Sequence, residues 1–180
     1  MKSNQLVGYG IQNEESDIRA HVCPKIKRVY VFPTKSGQEA IEKSKNNTYG
    51  YQENVSYPTA IGKRIPWQKI KSCISIRFRD SAWDAMHFSE EDDTSVKGKK
   101  AVRLISEAIK NGLFPIPLID KCDSSLSKEI EIKGKDIIVH VAGQIINIQV
   151  KCDYLGGDKK LGGTGYLYLQ THEINPLKKR

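Results

Sequence analysis

The chain has 180 residues, 38% of them hydrophobic and 28% charged, a balance that suits a soluble domain, or a domain with an appendage, around a real core. It carries a formal net charge of +8, and no run reaches the roughly 18 apolar residues that a membrane span needs. Four cysteines without a CxxC pair and four histidines without ligand spacing exclude a zinc ribbon and a thioredoxin-type motif.

Residues 1–24 read as polar and mixed, and MKSNQLVGYG has no apolar signal-peptide core. A reducing cytoplasm with free thiols is the expected setting. IKRVYVF, residues 26–32, predicts a strand that Pro33 stops, and Ser36 is placed to cap a short helix over 37–45 with Ala40 and Ile41 inward. Tyr49, Tyr51 and Tyr57 fall in a Gly- and Pro-punctuated loop, which suits either a nucleic-acid groove beside Lys63 and Arg64 or an ordinary tyrosine-rich loop. SCISIRFR, residues 72–79, alternates as a strand, with Ile74, Ile76 and Phe78 on one face and Cys73 and Arg77 on the other. Trp67 and Trp83 are expected in cores.

The acidic run Ser89–Asp93 marks the expected boundary between an N-terminal portion, 1–93, suited to recognition or dimerisation, and a second portion, 94–180. Beyond it, Ala101, Leu104, Ile105, Ala108 and Ile109 recur at helical spacing and predict a helix over 96–111. Thr94 or Ser95 can cap its start, Gly112 suits C′, and Pro115 and Pro117 forbid continuation. A loop through Ser127, a strand over 129–132, a hairpin, a flexible basic loop between two Gly-Gly pairs and a last strand over 165–173 complete the chain.

The basic residues recur in clusters, with Lys63, Arg64, Lys97, Lys99, Lys100, Lys159 and Lys160 prominent. Distributed positive charge suits a polyanion, since each neutralised phosphate releases counterions. These seven residues are the candidate nucleic-acid contacts, with DNA the expected partner and RNA compatible.

The hairpin KGKDIIVHVAGQIINIQVKCD, residues 133–153, carries the chemistry. A turn centred on Ala142-Gly143 sets Val141 against Gln144, Val139 against Ile146, Ile137 against Ile148 and Asp136 against Gln149. Gln149 and Lys151 then share a face, with Lys151 opposite Gly134. A carboxylate, an amide oxygen and an ammonium meet at one end of the hairpin. Oxygen donors of this kind suit Mg²⁺, and a neighbouring lysine suits the charge that builds on a phosphorane-like transition state.

Lys97-Gly98 opening a helix, then Gly134-Lys135-Asp136-Ile137-Ile138-Val139, a turn, and Ile148-Gln149-Val150-Lys151 resemble the PD-(D/E)xK nuclease superfamily, in the variant with Gln in place of the acidic residue seen among some homing endonucleases and restriction-type nucleases. The likeness covers about residues 94–173. It implies an α/β (α+β) fold, a central mixed β-sheet flanked by helices as in restriction endonucleases, with a less regular N-terminal β-containing portion. It further implies Asp136 and Gln149 as ligands of Mg²⁺ or Mn²⁺, the Val150 carbonyl as another, Lys151 as the catalytic lysine, and a homodimer for double-strand cutting. Lys135 replaces the motif's proline, and Val102 stands near where relatives carry a helix glutamate. Glu107 is expected to be solvated, so Glu131, Asp153 and the run at 90–93 are the open candidates for a second carboxylate. The rival expectations are a catalytically silent nucleic-acid-binding relative and a non-enzymatic interaction module.

Overall fold

Alternating β-branched and aromatic residues place most of the chain in two sheets. The computed structural model describes residues 5–7, 10–11, 14–44, 59–115, 121–124, 136–141 and 143–175. Nine strands (β1 Gln5–Val7, β2 Ile18–Cys23, β3 Arg28–Pro33, β4 Thr59–Pro66, β5 Ile74–Ile76, β6 Lys121–Ser124, β7 Ile137–Val141, β8 Gln144–Cys152, β9 Tyr166–Asn175) and three α-helices (α1 Thr34–Lys43, α2 Asp80–Asp84, α3 Thr94–Lys110) are described. The larger sheet has six strands in the order β5-β3-β2-β8-β7-β6, and the smaller has the order β1-β9-β4. The larger sheet is mixed, because β2 runs parallel to β8 while its other pairs are antiparallel. It draws β2, β3 and β5 from one side of the acidic run and β6, β7 and β8 from the other, so the sheet crosses that compositional boundary.

Each face of the sheet has its own core. Ala20, Val22, Val29, Val31, Ile137, Val139, Ile148 and Val150 point to one face, where the Ala101, Leu104, Ile105, Ala108 and Ile109 stripe of α3 covers them together with Phe78 and Trp83. Tyr30 and Phe32 point to the other face, against Ala40 and Ile41 of α1 and Ile65, Leu167 and Leu169 of the smaller sheet. The expected central mixed sheet flanked by helices is thus present, with the smaller sheet sharing one flank.

Several element expectations need correction. The stretch 1–24 contains β2, an internal strand of the sheet; its polar Arg19 and His21 are buried, which hides the apolar alternation of a buried strand. Helix α1 starts directly after Pro33, and no side chain caps it. The strand expected over 72–79 shortens to β5, an edge strand on which Ile74 is exposed, while Phe78 packs in the α3 core as its parity requires. β4 lies where no element was expected, and β6 replaces part of an expected loop. The strand expected over 129–132, Gly134 and the Tyr49, Tyr51 and Tyr57 loop lie outside the described residues. The basic loop after β8 contains a 3-10 turn over Lys159–Leu161. Trp67 packs on Tyr30 and Trp83 on Phe78 and Phe88, as core aromatics do.

The α3 termini explain its length. Asp93, rather than Thr94 or Ser95, is the N-cap: its carboxylate accepts the Val96 N–H at 2.8 Å. At the other end the Gly112 N–H reaches Ile109 O at 3.1 Å and the Leu113 N–H reaches Ala108 O at 2.8 Å, a Schellman pair that needs the φ of +68° at Gly112. Asp93→Ala is expected to cost about 1 kcal/mol in urea unfolding, and Asp93→Ser to retain most of the stability; equal stability of all three proteins would show that the cap contributes nothing.

Candidate active site at the end of the hairpin

The β7–β8 hairpin folds in the register that the sequence implies. Gly143 takes a φ of +77°, Val141 pairs with Gln144, Val139 with Ile146 and Ile137 with Ile148. Asp136 straddles Gln149: its N–H donates to Ile148 O at 3.1 Å, and its Oδ2 accepts the Val150 N–H at 2.8 Å. The carboxylate is therefore anchored on the β8 backbone. Ile148 and Val150 fill the α3 core, which leaves Gln149 and Lys151 to the opposite face.

That face carries a second polar pair. In the parallel β2–β8 ladder Arg19 lies beside Gln149 and His21 beside Lys151. Across β2–β3 the rows continue into Phe32 and Tyr30. Arg19 is buried against Glu14 at 3.0 Å, with side-chain exposures of 2% and 6%, although its Nη1 lacks the alignment of a hydrogen bond. Glu14 Oε1 also accepts the Ser16 hydroxyl at 2.8 Å. Burial lowers the Arg19 pKa, and the charges of Glu14 and then Asp136 oppose that shift. Burial, followed by the Arg19 and Lys151 charges, holds His21 well below its usual range, so its imidazole is neutral. Its ring packs on Phe32, and neither of its nitrogens has a hydrogen-bond partner among the described residues.

Asp136, Gln149, Val150 and Lys151 all line one cleft of about 1350 Å³, which Arg19 and His21 also reach. The flank of α3 contributes Lys97, Lys99, Val102, Arg103, Ser106, Glu107 and Lys110, and the smaller sheet contributes Arg64, Tyr166, Tyr168 and Gln170. Seven Lys and Arg side chains face four carboxylates there (Glu90, Glu107, Asp136 and Asp153), a positive surplus.

The candidate nucleic-acid contacts divide. Arg64, Lys97 and Lys99 line the cleft. Lys97 reaches Glu90 O at 2.6 Å and lies 5.1 Å from the centre of the Tyr154 ring. Lys100 instead pairs with Asp92 at 2.6 Å, and Lys63 donates to Ser44 O at 3.2 Å. Lys159 and Lys160 are exposed in the 3-10 turn, apart from the cleft lining. Arg103 and Lys110 went unnoticed in the sequence because they sit on the polar face of an ordinary amphipathic helix. Arg19 was missed with its strand, and His21 was read only as one of the four histidines without ligand spacing.

Val102 packs partly into the α3 core, so the position where the nuclease resemblance would expect a glutamate is apolar here. Glu107, exposed as expected, lines the cleft further along the helix. Asp153 lines it too, but its Oδ2 accepts the Tyr168 N–H at 2.9 Å. Asp92 is tied to Lys100, and Asp93 caps α3. Glu131 lies outside the described residues.

No group of three His, Cys, Asp or Glu side chains forms a metal site among the described residues. The donors that converge are oxygens, as a hard cation requires. Gln149 supplies the decisive observation: its Oε1 is buried without a hydrogen-bond partner among the described residues, and its backbone lies between the Ile148 O and the Val150 N–H that Asp136 binds. A buried carbonyl oxygen left unpaired costs free energy that a cation would recover. The residues therefore fit a divalent cation. Comparison of the chain with protein-family models, with curated proteins and with solved structures found no match.

Two stability outcomes follow from these environments. Glu14→Ala removes the ion-pair partner that buried Arg19 has at 3.0 Å and is expected to destabilise by about 3–5 kcal/mol in denaturant titration; a change near zero would mean that Arg19 is hydrated or held by Asp136 alone. Burial, the leading cause, raises the Asp153 pKa against the Tyr168 N–H and Arg64. A carboxyl whose folded pKa is raised weakens the fold as pH climbs above its unfolded value. Asp153→Asn is therefore expected to melt higher than wild type at pH 7, the gap closing as pH falls through the carboxylate range. A gap that widens on acidification would reverse the assignment.

Proposed function

We propose that the protein is a metal-dependent endonuclease of the PD-(D/E)xK type that hydrolyses phosphodiester bonds in DNA. The observation that carries this reading is the meeting of Asp136, Gln149 and Lys151 on one basic cleft, with the Gln149 Oε1 buried and unpartnered among the described residues. Asp136 and Gln149 would hold Mg²⁺ or Mn²⁺, and the Val150 carbonyl would add a donor. When bound, the cation lowers the pKa of a coordinated water and polarises the phosphate.

Lys151, two residues beyond Gln149 on the same face, orients the attacking water and offsets charge that builds on the phosphate oxygens. The neutral His21 beside it adds no competing charge. Arg64, Lys97, Lys99, Arg103 and Lys110 hold the backbone of the DNA strand. The N-terminal portion contributes Arg64 to the cleft and, in this proposal, target recognition or the contacts of a homodimer that would pair two active sites for double-strand cutting. The setting is cytoplasmic; among the described residues no helix is long and apolar enough to cross a membrane.

A second reading, binding without cleavage, is favoured by the Arg19 guanidinium, whose charge interacts with Asp136 and competes with a cation for it. Plasmid DNA incubated with Mg²⁺ or Mn²⁺, and with EDTA, tests both. Nicking or linearisation that needs metal is expected, and Asp136→Ala and Lys151→Ala are each expected to slow it by about 10²-fold or more. Cleavage that persists in both variants rejects the site. Salt-sensitive binding with no cleavage supports the second reading, and the absence of salt-sensitive binding rejects both in favour of an interaction module.

A further inference from the structure

The part of the cleft lining that β9 supplies is largely aromatic. Tyr166 and Tyr168 stand two residues apart on β9 and so share a face, while Leu167 and Leu169 between and beyond them are fully buried in the second core. Arg64 on β4 lies directly opposite Tyr168. The Tyr168 ring extends across Gly62, the β4 residue that lies at a break in register: a Cβ there would stand 2.8 Å from the Tyr168 Cζ. The missing side chain thus lets the ring lie along the sheet surface, within the lining of the cleft. Tyr166 is 41% exposed. A third ring, Tyr154, sits in the same cleft beneath the Lys97 ammonium.

Aromatic faces interleaved with cations form the surface on which unstacked bases are held while the backbone is neutralised. An intact duplex hides the faces of its bases inside the stack and offers only edges, sugars and phosphates to a groove. Such rings have nothing to stack on in a uniform duplex. We propose that DNA enters this cleft as a single strand, with successive bases stacked on Tyr166 and Tyr168 and the phosphates turned toward Arg64 and the α3 lysines. The proposal deepens the nuclease reading and rests on it for the identity of the ligand.

The test measures binding in EDTA, apart from cleavage, using a labelled single-stranded DNA oligonucleotide and a duplex of the same sequence. Wild type is expected to prefer the single strand. Tyr166→Ala is expected to weaken single-strand binding about fivefold or more, with duplex binding changed by less than about twofold. Tyr166→Phe and Tyr168→Phe keep the ring and are expected to keep the affinity, which separates stacking from any loss of fold. Tighter binding to the duplex, or an equal loss on both substrates in Tyr166→Ala, overturns the proposal. Tyrosine-dependent single-strand binding by a protein that cuts nothing with either metal would sustain it while overturning the nuclease reading.

Discussion

The parallel pairing of β2 with β8 is the constraint on which the site depends. It lays Arg19 and His21 beside Gln149 and Lys151 on one face of the six-stranded sheet. The other face of the same strands is apolar from Ile18 to Val22 and from Ile146 to Val150, and α3 covers it. An arginine and a histidine at the middle of a sheet are costly to desolvate. Glu14, brought back over the sheet and held by Ser16, offsets the arginine's part. The histidine's part is met by loss of its charge. The polar face is therefore a strip of groups that the fold tolerates beside the cleft and that an apolar sheet would not need.

The hairpin end shows how little backbone is required to assemble unlike donors. Strand alternation alone separates Gln149 and Lys151 from Ile148 and Val150. The Asp136 carboxylate then takes the place of a ladder acceptor by binding the Val150 N–H. Its position is fixed by the β8 main chain rather than by a flexible contact, the kind of rigid support that a catalytic constellation needs. The part of the lining that β9 supplies is fixed in a similar way, since the Asp153 carboxylate grips the Tyr168 N–H and ties the end of β8 to β9.

Much of this was legible in the sequence because periodicity speaks clearly where one face is apolar. The α3 stripe, its Gly112 stop and the hairpin register all followed from spacing and turn chemistry. The likeness to a nuclease motif drew attention to Asp136, Gln149 and Lys151, and the fold brings them to one cleft. What stayed hidden shares a cause. β2 buries polar groups on one face, so its residues read as surface. β4 and β9 meet only through long-range pairing, so no local pattern announced that Arg64 would stand beside Tyr168. Lys100 looked like its neighbours in composition, and only the fold reveals that Asp92 holds it.

The sequence separation across β2 and β8 has a consequence for how the chain is made. Asp17 at the head of β2 accepts the Asn147 N–H, a contact that spans 130 positions. A growing polypeptide presents the β2–β3 hairpin well before its central neighbour β8. Until then Arg19 and His21 lie on an open edge, hydrated and at no energetic disadvantage. The Arg19 charge disfavours pairing of that edge with other nascent chains, so a residue that burdens the finished sheet serves as its guard during synthesis.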